Sequence, residues 1–322
     1  MTGPYFEDLG AGTCLPAESG MTLDSGHAAV YRALSGDASP VYLDREYARS
    51  MGIDGPPLVN PGLVAHVSIG QSSVATANVV ANLFYRRLVH WRPVAIGETI
   101  RTDVEVVAAR EATPRADREP RGKVLLRSRA RNSQGEIVLE YERCALVRKR
   151  AAEDTGRRDG TGRIDPVVEL SGADRWPWTP PAFTGPGWRV GEPRTDPVRE
   201  PVTEELALVR LTGNLAAAHR DPRFGQAGRR LVYGGHAIAL AQAALARLTP
   251  GLITILGWHG CEHLGPVFAG DLLEFTATPV QGAGAAVHFQ VTGAVVGAGS
   301  PPRTVLSWQP IVLVRPGAVT PG

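Results

Sequence analysis

Between Leu208 and Leu240 the chain sets an amide, an imidazole and a carboxylate, Asn214, His219 and Asp221, ahead of the glycine-led apolar run Gly234-Gly235-His236-Ala-Ile-Ala-Leu. These residue types define a chemistry. A histidine exchanges protons near neutral pH, and an asparagine holds a water without titrating. The first backbone N–H groups of a helix hold a developing oxyanion. A proton acceptor, a water holder and an anion hole within one short stretch make an active-site layout. The same loop also fits a plainer role, a polar turn capping a buried helix. Asp221, followed by Pro222, suits either a cap for the next turn or an orienting partner for His219.

Repetition favours the first reading. Asp37, Tyr42, Asp44 and Tyr47 stand 177 residues before Asn214, His219, Asp221 and Phe224. Gly55-Pro-Pro-Leu-Val stands 173 residues before Gly228-Arg-Arg-Leu-Val, and Pro93-Val-Ala-Ile-Gly-Glu stands 173 before Pro266-Val-Phe-Ala-Gly-Asp. A four-residue gap reconciles the two offsets. The shared register predicts two copies of one domain, 1–150 and 181–322, joined by a linker at 151–180 whose Arg-rich start is mobile and whose Pro- and Trp-rich end is a strap.

The elements that must position the loops follow from periodicity. A short helix is expected from Ser25 to Leu34, and a buried one after the start signal Asn60-Pro61-Gly62. Strand-type alternation marks Leu83 to Trp91, Thr99 to Ala108, Lys123 to Asn132 and Ile137 to Val147. The order returns after Val202, with strands at Leu252 to His259, Leu272 to Pro279, Ala285 to Val296 and Arg303 to Val314. This is an α+β pattern: in each copy an antiparallel sheet wraps one helix, 62–77 and 235–248, and the two sheets join edge to edge.

Composition narrows the partners. With 322 residues, 43% of them hydrophobic, the chain has core material for two domains. Its 34 basic residues nearly balance 32 acidic ones, and no basic run suggests nucleic acid. Cys14, Cys144 and Cys261 show no ligand spacing. No run approaches the ~20 apolar residues that span a bilayer. A cytoplasmic protein without a signal peptide or membrane anchor is expected, and assembly beyond the internal pair stays open.

The paired loops, the Gly-x-x-Leu-Val-x-Gly-Gly helix start and the Pro266-Val-Phe-Ala-Gly-Asp segment resemble the double-hotdog MaoC-like hydratases and dehydratases, and within them the mesaconyl-CoA hydratase branch. The resemblance implies reversible hydration of an α,β-unsaturated acyl-CoA, with the CoA thioester as substrate and no cofactor. In that family the working loop carries Asp and, five residues on, His. Here the first copy keeps Asp37 but has Tyr42, and the second keeps His219 but has Asn214. The resemblance therefore implies a site in the second copy, with the first as a wall of the acyl tunnel. His219 would act as base, Asn214 would hold the water, and the amides around Gly234 and Gly235 would hold the enolate oxygen. Asp221, His236, His259 and His263 are candidate supports or proton relays. A metal at His259 and His263 would need a further ligand, and none is expected. Arg229, Arg230, Arg86 and Arg87 are candidates for a substrate carboxylate or CoA phosphates. Two other readings remain: a hotdog thioesterase, and an acyl-thioester binder without activity.

Overall fold

The computed structural model describes residues 3–15, 19–114, 118–162, 176, 178–283 and 285–322. Much of the expected linker, 163–175 and 177, lies outside the described residues.

Four long strands form each half: β1 (Val79–His90), β2 (Thr99–Glu111), β3 (Arg121–Arg131) and β4 (Ile137–Arg148), then β5 (Leu252–His263), β6 (Leu272–Ala283), β7 (Ala286–Gly297) and β8 (Ser300–Val314). They lie in the order β2-β3-β4-β1-β5-β8-β7-β6, all antiparallel, in one continuous sheet. The halves meet at the β1–β5 seam, where Phe84 to Val89 runs against Gly257 to Glu262. The offset of 173 carries the first of these stretches onto the second, so the seam joins like to like. Two-residue strands guard the outer edges alike in both halves. Met21–Thr22 pairs with the start of β2, and Glu200–Pro201 with the start of β6. Such cover removes open sheet edges.

Four helices matter: α1 (Ser25–Ser35), α2 (Pro61–Gln71), α3 (Glu205–Leu211) and α4 (Gly234–Leu248). The sheet wraps α2 and α4. Helix α2 is buried all round from Pro61 to Gly70, as a helix apolar on every face must be. The expected single helix over 62–77 instead tightens into a 3₁₀ turn at Ser72–Thr76. The Ser72 and Ser73 hydroxyls donate to the carbonyls of Ile69 and Gly70, at 2.8 and 2.5 Å, and this back-bonding favours the tighter turn. Leu63, Val67, Leu240, Leu245, Tyr85, Tyr141, Trp258 and Trp308 share one core across both halves. No helix among the described residues is long and apolar enough to cross a membrane.

The start of the linker is packed rather than free. Arg157 donates to the carbonyl of Glu7 at 2.8 Å, Asp159 accepts from the amide of Ala109 at 3.0 Å, and Arg158 bridges to Arg110. Just past its end, Trp188–Arg189 pairs in parallel with Val319–Thr320 and straps the second half.

Candidate active site

The working loop is built by turns. After α3, Gly213 takes a left-handed φ of 64°, which glycine adopts without steric cost, and Asn214 folds inward with 3% exposure. Its side-chain oxygen accepts the amide of Ala216 at 2.9 Å, which commits that end to the turn and leaves the NH₂ end for other work. Its main-chain carbonyl accepts two guanidinium hydrogen bonds from Arg220, at 3.1 and 2.7 Å. A 3₁₀ turn, Ala217–His219, follows.

The His219 ring is held by its Nδ1, which lies 3.0 Å from the carbonyl oxygen of Leu231. A carbonyl can only accept, so Nδ1 carries the proton and the neutral ring keeps its lone pair on Nε2. Burial lowers the histidine's pKa, the nearby Arg220 charge adds to that, and the Leu231 bond opposes it in part. The ring is thus poised as a neutral base at neutral pH.

Leu231 leads into Val232, whose amide donates to Val267 at 3.0 Å, and then into the start of α4. The amides of that first turn have no acceptor within the helix. Gly234 faces His263: a Cβ at this glycine would lie 2.4 Å from the imidazole. Asn214, His219, Gly234 and His263 line one cavity of about 250 Å³, whose opposite wall comes from Ile69, Ser73, Thr76, Asn82, Tyr85 and Arg143 of the first half. Among the described residues no Asp or Glu lines it. Burial, and then the proximity of His219, push His263 down to about 4. Gly234→Ala is expected to displace His263 and cut turnover on the order of 10²-fold, the effect of a small misplacement at a reacting centre. Unchanged circular dichroism beside lost turnover would check it.

Several candidates lie elsewhere. Asp221 does not orient His219. Its carboxylate caps the next turn through the amide of Arg223 at 2.9 Å and pairs with that guanidinium at 2.6 Å. Asp44 does the same in the first half, accepting from Glu46 and Tyr47 at 2.8 and 3.1 Å. Gly235 packs behind the cavity, where a Cβ would meet Tyr233 and His66. His236 is buried in α4, outside the cavity lining, and lowered to about 4 by burial. His259 lies against His288, ring centroids 4.2 Å apart, outside the cavity lining. Gly260 does not end β5 but accompanies a bulge that lets the strand run on to His263.

None of the four candidate arginines lines the cavity. Arg229 stacks on Phe268, Arg230 pairs with Glu205 at 3.0 Å, and Arg86 pairs with Glu142 at 2.8 Å. Arg87 is exposed at a bulge with φ 52°. The cavity's arginine is Arg143, which the motif reading missed. Its signal is the period of two in β4, which puts Arg143 in the buried phase with Tyr141 and Ala145. Tyr233, whose ring lies 5.5 Å from His219, was missed as well.

The first copy's loop is closed. The Tyr42 hydroxyl is 2.5 Å from the hydroxyl of Thr254, and Trp176 fills the counterpart cavity, leaving about 10 Å³ between Tyr42, Pro61, Val64 and His90. This half therefore walls the cavity with α2, β1 and β4 rather than with its degenerate loop. Asp37 borders a separate cleft, but both of its oxygens are engaged. They accept from Ser39 at 2.9 and 2.6 Å, from Asn60 at 2.7 Å and, across the halves, from Gln242 at 2.7 Å. Asp37→Asn is expected to leave turnover per folded molecule unchanged, but to turn an NH₂ toward donors and cost about 1–3 kcal/mol of stability. Thermal melts beside steady-state rates would separate the two effects.

A family model described as mesaconyl-CoA hydratase matches residues 1–188. The mesaconyl-CoA hydratase of Cereibacter sphaeroides is 30% identical over 294 residues, covering 84% of this chain and 82% of that one. The β-methylmalyl-CoA dehydratase of Chloroflexus aurantiacus is 29% identical over 292 residues, with 84% and 80% covered. The solved structure of a conserved hypothetical protein from Mycobacterium tuberculosis, a double hotdog, matches with a TM-score of 0.83 at 33% identity, over 97% of this chain and 98% of that one. With its like-to-like seam, two wrapped helices and one open loop, the chain belongs to the mesaconyl-CoA hydratase family of MaoC-like hydro-lyases.

Proposed function

We propose that the cavity at the start of α4 adds water reversibly across the double bond of a short α,β-unsaturated acyl-CoA, of the mesaconyl-CoA and β-methylmalyl-CoA type. The observation that carries this reading is the Leu231 carbonyl on Nδ1 of His219, which leaves Nε2 as the acceptor. In the hydration direction Asn214 donates to the water, and Nε2 takes one of its protons as the oxygen bonds to the β-carbon. The electron pair of the double bond moves toward the α-carbon and the thioester oxygen, where the first-turn amides at Gly234 stabilise it. His219 then returns its proton to the α-carbon. Water is consumed, no electrons change hands, and nothing beyond the CoA thioester is required. A cytoplasmic location forms part of the same proposal.

A hotdog thioesterase would use a carboxylate to drive water onto the thioester carbonyl, and among the described residues the lining offers none. Loss of the enoyl-thioester absorbance with mesaconyl-CoA and crotonyl-CoA, read beside a free-thiol assay, tests the reading. Band loss without thiol release is expected. Thiol release would overturn it in favour of hydrolysis, and neither change would leave a binding protein.

A further inference from the structure

Arg143 is a buried cation, 5% exposed. One of its terminal nitrogens donates to the carbonyl of Ser72 and the hydroxyl of Thr76, both at 2.9 Å, and Tyr85 faces it across the β1–β4 pair. Its Nε has no partner, and no ion pair to Arg143 is found among the described residues. The other buried arginine among the described residues, Arg86, is neutralised by Glu142, and the half-buried Arg247 by Asp196. Holding a guanidinium unpaired in the interior is costly, and a fold that keeps one where a cavity opens gains when a bound anion supplies the missing charge.

Two further groups on the same cavity want partners. The Tyr233 hydroxyl and both ends of the Asn82 amide are buried without a hydrogen bond. A guanidinium edge, a hydroxyl and an amide facing one space match a carboxylate. The nucleotide phosphates of CoA do not fit this position, because a cavity of about 250 Å³ admits no nucleotide and Arg143 is remote from solvent. Pantetheine carries no charge, so the anion has to belong to the acyl group. Arg143 faces Tyr85 across the strand pair, the Tyr85 ring lies 6.1 Å from His263, and His263 rests on Gly234. The carboxylate position and the thioester position thus share one small cavity, joined through the Tyr85 and His263 rings, which suits a short diacid. At the matching register of the second half, where Trp258 faces Pro310 as Tyr85 faces Arg143, a proline stands. The arginine serves this wall alone.

We propose that Arg143, with the Tyr233 hydroxyl and the Asn82 amide, receives the free carboxylate of a short dicarboxylic acyl-CoA and sets the preference of the site for such substrates over uncharged ones. This rests on the reading of the cavity as an enoyl-CoA hydratase site. The test compares wild type, Arg143→Met and Arg143→Lys with mesaconyl-CoA and crotonyl-CoA. Wild type is expected to prefer mesaconyl-CoA. Arg143→Met is expected to lower kcat/KM for mesaconyl-CoA about 10²-fold, chiefly through KM, and to change crotonyl-CoA by no more than a few-fold. Arg143→Lys, which keeps the charge but loses the fork, should fall between, and it carries the test if the Met variant does not fold. Equal losses on both substrates, or an unchanged preference, would overturn the proposal. Displacement binding of succinyl-CoA and butyryl-CoA, neither of which can be hydrated, separates it from the hydratase reading. Selective loss of succinyl-CoA affinity in Arg143→Met supports the carboxylate site even if wild type hydrates nothing. Equal affinities in wild type overturn it even if hydration is fast.

Discussion

His219→Ala is expected to lower kcat/KM for hydration by roughly 10³- to 10⁴-fold, the upper range for loss of a positioned general base. The cavity offers no replacement: Asn214 does not titrate in this range, and His263 keeps its proton only below about pH 4. The wild-type pH–rate profile gives the sharper check. A base must be unprotonated to work, and burial holds His219 below the ordinary histidine value of 6.5. The rising limb of kcat/KM should therefore lie on the acid side of 6.5, with activity already on a plateau at neutral pH. Initial rates from the enoyl-thioester absorbance between pH ~5 and ~8 would show it. A limb centred above 6.5, or a His219→Ala variant with near-normal turnover, would remove His219 from the role of base.

Asn214 is the second case. Asn214→Ala is expected to slow turnover by roughly 10²- to 10³-fold, the range for losing one placed polar group in a catalytic site. Asn214→Asp separates charge from geometry. The side-chain oxygen that accepts the amide of Ala216 is present in both residues, so the turn survives. What changes is a negative charge beside His219, which favours the imidazolium and raises its pKa. The rising limb should then move to higher pH, with partial activity at the new plateau. A profile that overlays the wild type would mean that residue 214 lies beyond electrostatic reach of the working base.

How much of this the sequence carried depended on distance along the chain. The repeat offset was enough for two copies, an edge-to-edge seam and helices within a residue of their observed starts, because these rest on periodicity and internal comparison. The grouping of Asn214, His219 and Gly234 was legible for the same reason, since one loop and one helix start hold all three. What failed were inferences about direction. Arg86 and Arg87 were credible by type, but a bulge and a buried carboxylate turn them to other work. Asp221 was ambiguous only until its twin was compared: Asp44 caps the same turn in the copy that lacks the histidine, which identifies the shared aspartate as architecture. Trp176 could not be found by periodicity at all, because its target lies in the first half's closed loop and no local pattern records it.

The seam has a further consequence for how such a site changes over generations. In a pair of identical subunits every substitution appears twice, so a tyrosine at the histidine position would silence both sites, and an arginine in the wall would enter both cavities. Here the pairing across β1 and β5 still has the equal register of a symmetric dimer, while the residues around it are no longer bound to match. Joining the copies in one chain turned each position into two independent ones. One loop was then free to close under Trp176, and the facing wall was free to take on a charge where the other copy carries a proline.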